Sequence, residues 1–524
     1  MLNSFLPEFV QLYDTTLRDC PQQEGIQLSV YDKFRIAKLL DELGVDFIEG
    51  GWPGANPADT EFFAKVRHAV PLHHAKLVAF GATRRPGIAA QDDPQIQALI
   101  EAGTEYVCIL AKAHPHHVTA ALRTDLAENL TMIEDTVQHL VSAGKKVFVD
   151  AEHYFDGFKL DASHAFDVVR TAADAGAQVV TLCDTNGGSL PHEIDEILTS
   201  TLCIGIDLGI RTHNDTGCAV ANTLAAVSAG ATQVQGTING YGERAGIVDL
   251  TTVIPNLQLK YGLPLLSDRQ LASLTRISNA IADIANQPHL PRQPYVGSSV
   301  FAVKTGLHAS AAKANATLYQ HLEPQLVGNS THTLVSGVAG RANIQLKSAE
   351  LGLELTDEQI ARLLERVKTK AAEGYAFDAA DASFELLTLD ELGLDTHPFD
   401  LIRWSVLSTG GQPSSAQVEL IGKGSGQKSA GEGNGPLDAL KEALVDALKH
   451  GYPQVREYVL SDYRVRSLED GQGTSSTCRV LVDLTDGKRT WTTVGVGTNV
   501  VEASWEALFD AYRFGLVKGY GQPA

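Results

Sequence analysis

The segment Gln11 to Gly25 reads Q-L-Y-D-T-T-L-R-D-C-P-Q-Q-E-G, a short apolar run that ends abruptly in a turn holding Asp14, Arg18, Asp19 and Glu24. A strand that stops in charge is what the carboxyl-terminal mouth of a parallel barrel looks like, because the loops after its strands carry chemistry. A solvated loop would explain one such segment standing alone. Seven more follow Val/Ile/Phe-rich runs: E-G-G-W-P-G, F-G-A-T-R-R, A-K-A-H-P-H-H, A-E-H-Y-F-D-G, C-D-T-N-G-G, R-T-H-N-D and T-I-N-G-Y-G-E-R. Meeting at one mouth, they would pool guanidinium, carboxylate and imidazole groups, which suits binding an anion and moving protons. Arg211 and His213 are two apart on one strand, so both side chains share a face, and one face of that strand looks into the barrel.

The elements that must position these residues repeat from residue 9 to about 260 as a strand, a polar loop and an amphipathic helix. Strand-like runs fall near 9–13, 46–50, 77–80, 106–110, 147–151, 179–182, 206–211 and 232–238. Helical patterns lie between them, such as Asp32 to Leu43, Asp125 to Ala143, Ala162 to Ala175 and Ala219 to Ala229, with Gly44, Gly144, Gly176 and Gly230 as closing residues. Eight such units predict an α/β fold with a (β/α)8 TIM barrel. The rival, a doubly wound open sheet, would want a Gly-rich dinucleotide loop after the first strand, and D-T-T-L-R-D-C is not one.

Beyond the barrel, expected at 1–263, residues 264–395 read as linker subdomains. The first is rich in Pro and Gly around P-H-L-P-R-Q-P-Y-V-G, and the second, 330–393, is helical. Residues 396–524 alternate in strand fashion and predict an α+β domain. Within it, G-K-G-S-G-Q-K-S-A-G-E-G-N-G reads as a flexible connection before a helix from Leu437 to His450.

A formal net charge of -21 argues against nucleic acid or an anionic membrane as partner, so an anionic substrate must be met by local cations. The six cysteines are scattered with no C-x-x-C pair, which points away from a disulfide framework or structural zinc and fits a reducing cytoplasm. The start, M-L-N-S-F-L-P-E-F, lacks a basic region followed by an apolar run, and no stretch reaches the roughly 20 apolar residues of a membrane span, so a soluble protein is expected.

L-Y-D-T-T-L-R-D, D-E-L-G-V-D-F-I-E-G-G-W-P-G-A-N-P, H-N-D-T-G-C-A-V-A-N-T and G-T-I-N-G-Y-G-E-R-A-G resemble the citramalate synthase branch of the family that includes 2-isopropylmalate and homocitrate synthases. P-Y-V-G-S-S-V-F, G-L-H-A-S-A and L-E-P-Q-L-V-G-N resemble its linker subdomains. G-N-G-P-L-D-A-L, D-Y-R-V-R and W-T-T-V-G-V-G-T-N-V-V-E-A-S-W resemble its C-terminal regulatory domain.

The resemblance implies a transferase that deprotonates the methyl of acetyl-CoA, adds the enolate to a 2-oxo acid and hydrolyses the thioester; pyruvate would give citramalate, in isoleucine biosynthesis. Such a reaction needs a cation at the 2-oxo acid's oxygens, a base, and a donor for the enolate. By resemblance Arg18 polarises the ketone, Glu152 is the mouth glutamate, and Thr185 and His117 contact substrate. His308 and Tyr319, from the linker, match the family's acid/base pair. The C-terminal domain would bind an amino-acid effector, isoleucine, and form a homodimer.

The family holds a divalent metal (Mn, Mg or Zn) with an aspartate, an H-x-H pair and an asparagine. This chain keeps Asp19 and His213 but has Arg211 for the first histidine and Ile247 for the asparagine. A guanidinium cannot deprotonate and would repel the ion. Cys20 stands where the family has glycine, and Pro21 is expected to push it to extended geometry, so that the loop carrying Asp19 runs differently. Val303 and Thr305 replace a histidine and a small residue of the linker motif.

Two readings of Arg211 follow. In one its fixed charge replaces the metal, pairing with Asp19 or gripping the substrate carboxylate. In the other the chain is a non-catalytic member that binds effector or partner, and Arg211 is an ion-paired lumen residue. A lyase running the reverse cleavage would not need the C-terminal domain.

Overall fold

Eight parallel strands close into a barrel in sequence order: β1 (Gln11–Asp14), β2 (Phe47–Glu49), β3 (Lys76–Ala82), β4 (Tyr106–Lys112), β5 (Lys146–Glu152), β6 (Val179–Asp184), β7 (Asp207–Thr212) and β8 (Gln233–Gly236). β8 returns to β1 with Tyr13 opposite Gln235. This computed structural model describes residues 6–303, 320–333, 335–336, 339–422, 425–468 and 476–521. The strands are short Val/Ile/Phe runs because parallel strands under a helical coat are buried on both faces; every residue of β6 is buried. Tyr13, Phe47, Val78, Phe80, Cys108, Phe148 and Val179 form one apolar cluster, with the Phe47 and Phe148 rings 5.0 Å apart. The lumen is therefore packed, and side chains at the strands' carboxyl ends stand on a rigid base.

The helices follow their caps. Val30–Leu43 begins before Asp32 because the Ser29 hydroxyl accepts the Asp32 N–H while the Asp32 carboxylate accepts the Ser29 N–H; it ends at Gly44, whose φ of 94° is left-handed. The expectation that Pro21 makes Cys20 extended is corrected. Cys20 is helical (φ -57°, ψ -44°), held by its own N–H to Thr16 O and by Gln23 N–H to Cys20 O. Pro21 opens the short turn Cys20–Gln22, where its missing N–H costs nothing.

Residues 301–323 and 331–524 form a second compact unit; the first is residues 1–300 with 324–330. In the second, β9 (Ala302–Val303) pairs with β10 (His332–Thr333). The helices Arg341–Glu350, Asp357–Ala372 and Asp381–Glu391 pack around Ile344, Leu363, Val367 and Phe384. Two antiparallel three-stranded sheets follow, each ending in a helix. The first is β11 (Phe399–Leu407), β12 (Ser414–Gly422) and β13 (Ser425–Gly433) with the helix Pro436–Leu448; the second is β14 (Val459–Ser467), β15 (Cys478–Thr485) and β16 (Thr490–Gly497) with the helix Val500–Val517.

The Gly-rich stretch is thus not a flexible connection but largely β13, in register with β12 along its whole length. A Cβ on Gly431 would lie 2.4 Å from Ala443 N and one on Gly433 2.5 Å from Ala439 N, so these glycines let the helix approach the strand. Among the described residues no helix is long and apolar enough to cross a membrane.

Candidate active site

All eight post-strand segments meet around a cavity of about 650 Å³. Arg18 comes from the first, Trp52 from the second, Ala82 from the third, Lys112 from the fourth and Glu152 from the fifth. Thr185, the pair Arg211 and His213, and Glu243 complete the ring. The volume is in the range of small-molecule sites. Asp14 and Glu24 take no part. The Asp14 carboxylate accepts the Thr16 N–H and hydroxyl at 2.8 and 2.9 Å and is pushed up to about 7 by burial, while Glu24 is exposed.

The floor of the cavity is a cluster of buried charges. Asp19 Oδ1 meets Arg18 Nη1 at 2.9 Å and Arg211 Nη2 at 2.8 Å; its Oδ2 meets Arg211 Nη2 at 2.7 Å and the Thr15 hydroxyl at 2.6 Å. Burial would raise the Asp19 pKa, but Arg18 and Arg211 hold it below the ordinary carboxylate value, so it is ionised. Arg18 donates from Nε to Glu49, which also accepts the Tyr13 hydroxyl at 2.6 Å, and its guanidinium lies 4.0 Å over the Phe80 ring. Arg211 Nη1 stands 3.7 Å from Asp150 Oδ2, and Asp150 Oδ1 accepts from Gln235 Nε2 at 2.8 Å. Burial pushes Glu49 and Asp150 above the usual carboxylate range against the pull of the two arginines.

At the rim Glu152 pairs with Lys112. Thr185 is oriented by accepting the His153 N–H at 2.9 Å. His117 stacks on His153 at 4.0 Å between ring centroids, and donor atoms of His117, Glu152 and His153 lie within 4.8 Å of one another. His153 has a left-handed φ of 56°, and burial lowers its pKa to about 4.

Arg18, Glu152, Thr185, Arg211 and His213 therefore line one cavity, with Asp19 buried against the two arginines and His117 beside Glu152. His308, Tyr319 and Thr305 lie outside the described residues. Sequence reasoning passed over Tyr13 and Asp150, and it held Glu49 and Lys112 only as members of two post-strand segments, with no role of their own. For Asp150 a signal existed, since it lies two residues before Glu152 on β5 and so shares its face.

A TIM barrel whose mouth gathers two buried arginines around one carboxylate defines the class, and the comparisons narrow it. Residues 9–281 match the HMGL-like family, 295–375 the homocitrate synthase post-HMGL domain-like family and 378–516 the LeuA allosteric (dimerisation) domain. The chain is 51% identical to an (R)-citramalate synthase of Streptomyces coelicolor, covering 99% of both chains, and 47% identical to one of Aquifex aeolicus, covering 98% of this chain and 99% of that one. A 2-isopropylmalate synthase of Methanocaldococcus jannaschii is 28% identical, over 98% of this chain and 96% of its own. The chain belongs to the HMGL-like family, in its citramalate synthase branch.

Enzymes of this family work with acetyl-CoA and a divalent metal, and the donors here can be tested against such an ion. A carboxylate offers about four lone-pair sites, and the four contacts on Asp19 use them all, two with a guanidinium nitrogen of Arg211. Ile247, at the position of the family's asparagine, is 2% exposed, bridges to His213 through the backbone and has no donor atom in its side chain. Burial, then Arg211, lowers the His213 pKa to about 4, so the ring is neutral, and its Nδ1 has no partner among the described residues. One neutral imidazole beside a guanidinium does not make a divalent-ion site. The residues around Asp19 do not fit the metal.

Proposed function

We propose that this chain condenses acetyl-CoA with pyruvate to give citramalate and free CoA. The observation that supports this most is the similarity to citramalate synthases along the whole length, barrel and C-terminal domain together. A base takes a proton from the acetyl methyl group, the methyl carbon bonds to the ketone carbon of pyruvate, and the ketone oxygen gains a proton. Water then cleaves the thioester, releasing the CoA thiol.

Each role is assigned to a residue of this chain. Arg18 polarises the ketone, held over Phe80 and against Glu49. Arg211 meets the substrate carboxylate, and Asp19 positions both guanidiniums. Glu152, Thr185 and His117 line the approach, and His308 and Tyr319 act as acid and base from a linker spanning 264–395. The reaction develops negative charge on oxygen, where fixed cations in a dry site are most effective. We assign isoleucine as effector of the domain at 396–524, a homodimer as the working form, and the cytoplasm as its place.

The test is release of free thiol from acetyl-CoA with pyruvate, 2-oxoisovalerate or 2-oxoglutarate. Pyruvate should be fastest. Discrimination should be graded, because one methylene in an apolar pocket is worth only about 1–3 kcal/mol. Faster turnover of 2-oxoisovalerate would contradict the assignment. A second reading, a non-catalytic member that binds effector or partner, draws on Arg211 and Ile247 at the metal positions; no thiol release with any of the three acids would favour it.

A further inference from the structure

We infer that Arg211 is the built-in cation of this site: its guanidinium occupies Asp19 in place of a divalent ion and, with Arg18, binds the carboxylate and ketone oxygens of a 2-oxo acid. This rests on the proposed reading for the class of substrate, though not for turnover. Arg211 is 7% exposed, keeps its charge at any working pH and is locked by both Asp19 oxygens, so the positive centre is covalently part of the chain.

The two arginines are unequally satisfied in a way that calls for an anion. Arg18 Nη2 and Arg211 Nε are buried with no hydrogen-bond partner among the described residues, and both side chains line the cavity. A buried donor without a partner is costly. An acceptor-rich acid in the cavity, against the two arginines that line it, would supply acceptors for both. Three carboxylates face the pair: Asp19, held ionised, draws the two guanidiniums together, whereas burial pushes Glu49 on Arg18 and Asp150 beside Arg211 above the usual carboxylate range, which lessens their opposition to an anion. An arginine serving only as a lumen ion pair would instead have its donors used up by protein.

The test uses the full-length protein. Elemental analysis should find well under one manganese, magnesium or zinc per chain. Calorimetric titration with each of the three 2-oxo acids should give a Kd for the preferred acid that chelator leaves unchanged. Arg211→Met should weaken that binding about thirtyfold or more, the loss expected when one partner of a close charge pair is removed. Arg211→His with Ile247→Asn should bind manganese, seen by electron paramagnetic resonance, and make acid binding chelator-sensitive. About one metal per chain in the unmutated protein, stripped by chelator together with acid binding, would overturn the inference, as would undiminished binding by Arg211→Met or no binding of any of the acids. Should Arg211→Met fail to fold, the chelator arm on the unmutated protein decides. Chelator-insensitive binding without thiol release would leave this inference standing and defeat the proposed reaction.

Discussion

The barrel mouth and the C-terminal sheets are built on opposite principles. At the mouth, Arg18, Asp19, Glu49, Asp150 and Arg211 crowd together out of water, each held by the others. In the C-terminal domain the core is carbon: Val418, Leu440, Leu444, Val482 and Leu508 pack between sheets and helices, and glycines bring backbones into contact. Buried charge is a poor way to gain stability and a good way to fix a field, whereas tight apolar packing does the reverse. Substitutions in the two regions should therefore fail differently.

The largest effect is expected from Asp19→Ala, which strands two guanidiniums in the mouth. Breaking a buried pair from one side costs about 3–5 kcal/mol, and loss of the carboxylate that positions the two cations should lower the rate on the order of a hundredfold or more. Denaturant melts and thiol release check both numbers. If stability fell while the rate held, the mouth would be structural and the contrast would collapse. Next comes Gly495→Ala on β16, whose new Cβ would lie 2.0 Å from Ala503 O and 2.9 Å from Ala507 N. Overpacking there should cost about 1–3 kcal/mol in the melt and leave the rate of the uninhibited enzyme unchanged.

The smallest effect is a pH dependence at the rim. The folded protein holds His153 near 4 by burial, whereas an unfolded histidine titrates near 6.5. Between those values the unfolded chain takes up a proton that the folded one refuses, so stability falls as pH drops from about 6.5 toward 4. His153→Asn, which tolerates the left-handed φ of 56°, should recover about 1 kcal/mol of the loss between pH 7 and 5.5. An unaltered acid limb in the melts would show that His153 is protonated in the folded state.

The barrel was legible because eight apolar runs, each followed by a polar loop and a capped helix, repeat one physical rule. The alternation that puts Arg211 and His213 on one face was legible for the same reason, and both line the cavity. The Gly-rich stretch misled because composition reports a glycine's freedom but not its neighbours; Gly431 and Gly433 are there for a helix backbone that arrives only in three dimensions. Glu49 opened a post-strand segment and Asp150 shared a strand face with Glu152, yet neither position by itself shows a role. What makes them part of the site is contact with Arg18 and Arg211, and neither arginine is near its carboxylate in the chain. Pro21 was read by its effect on the preceding residue, where the turn's hydrogen bonds prevail.

The most direct measurement of the central claim is the steady-state rate of thiol release with acetyl-CoA and pyruvate, taken on the full-length protein with and without a strong chelator. A site whose cations are Arg18 and Arg211 predicts the same rate in both. A rate that vanishes in chelator and returns on adding manganese would contradict it.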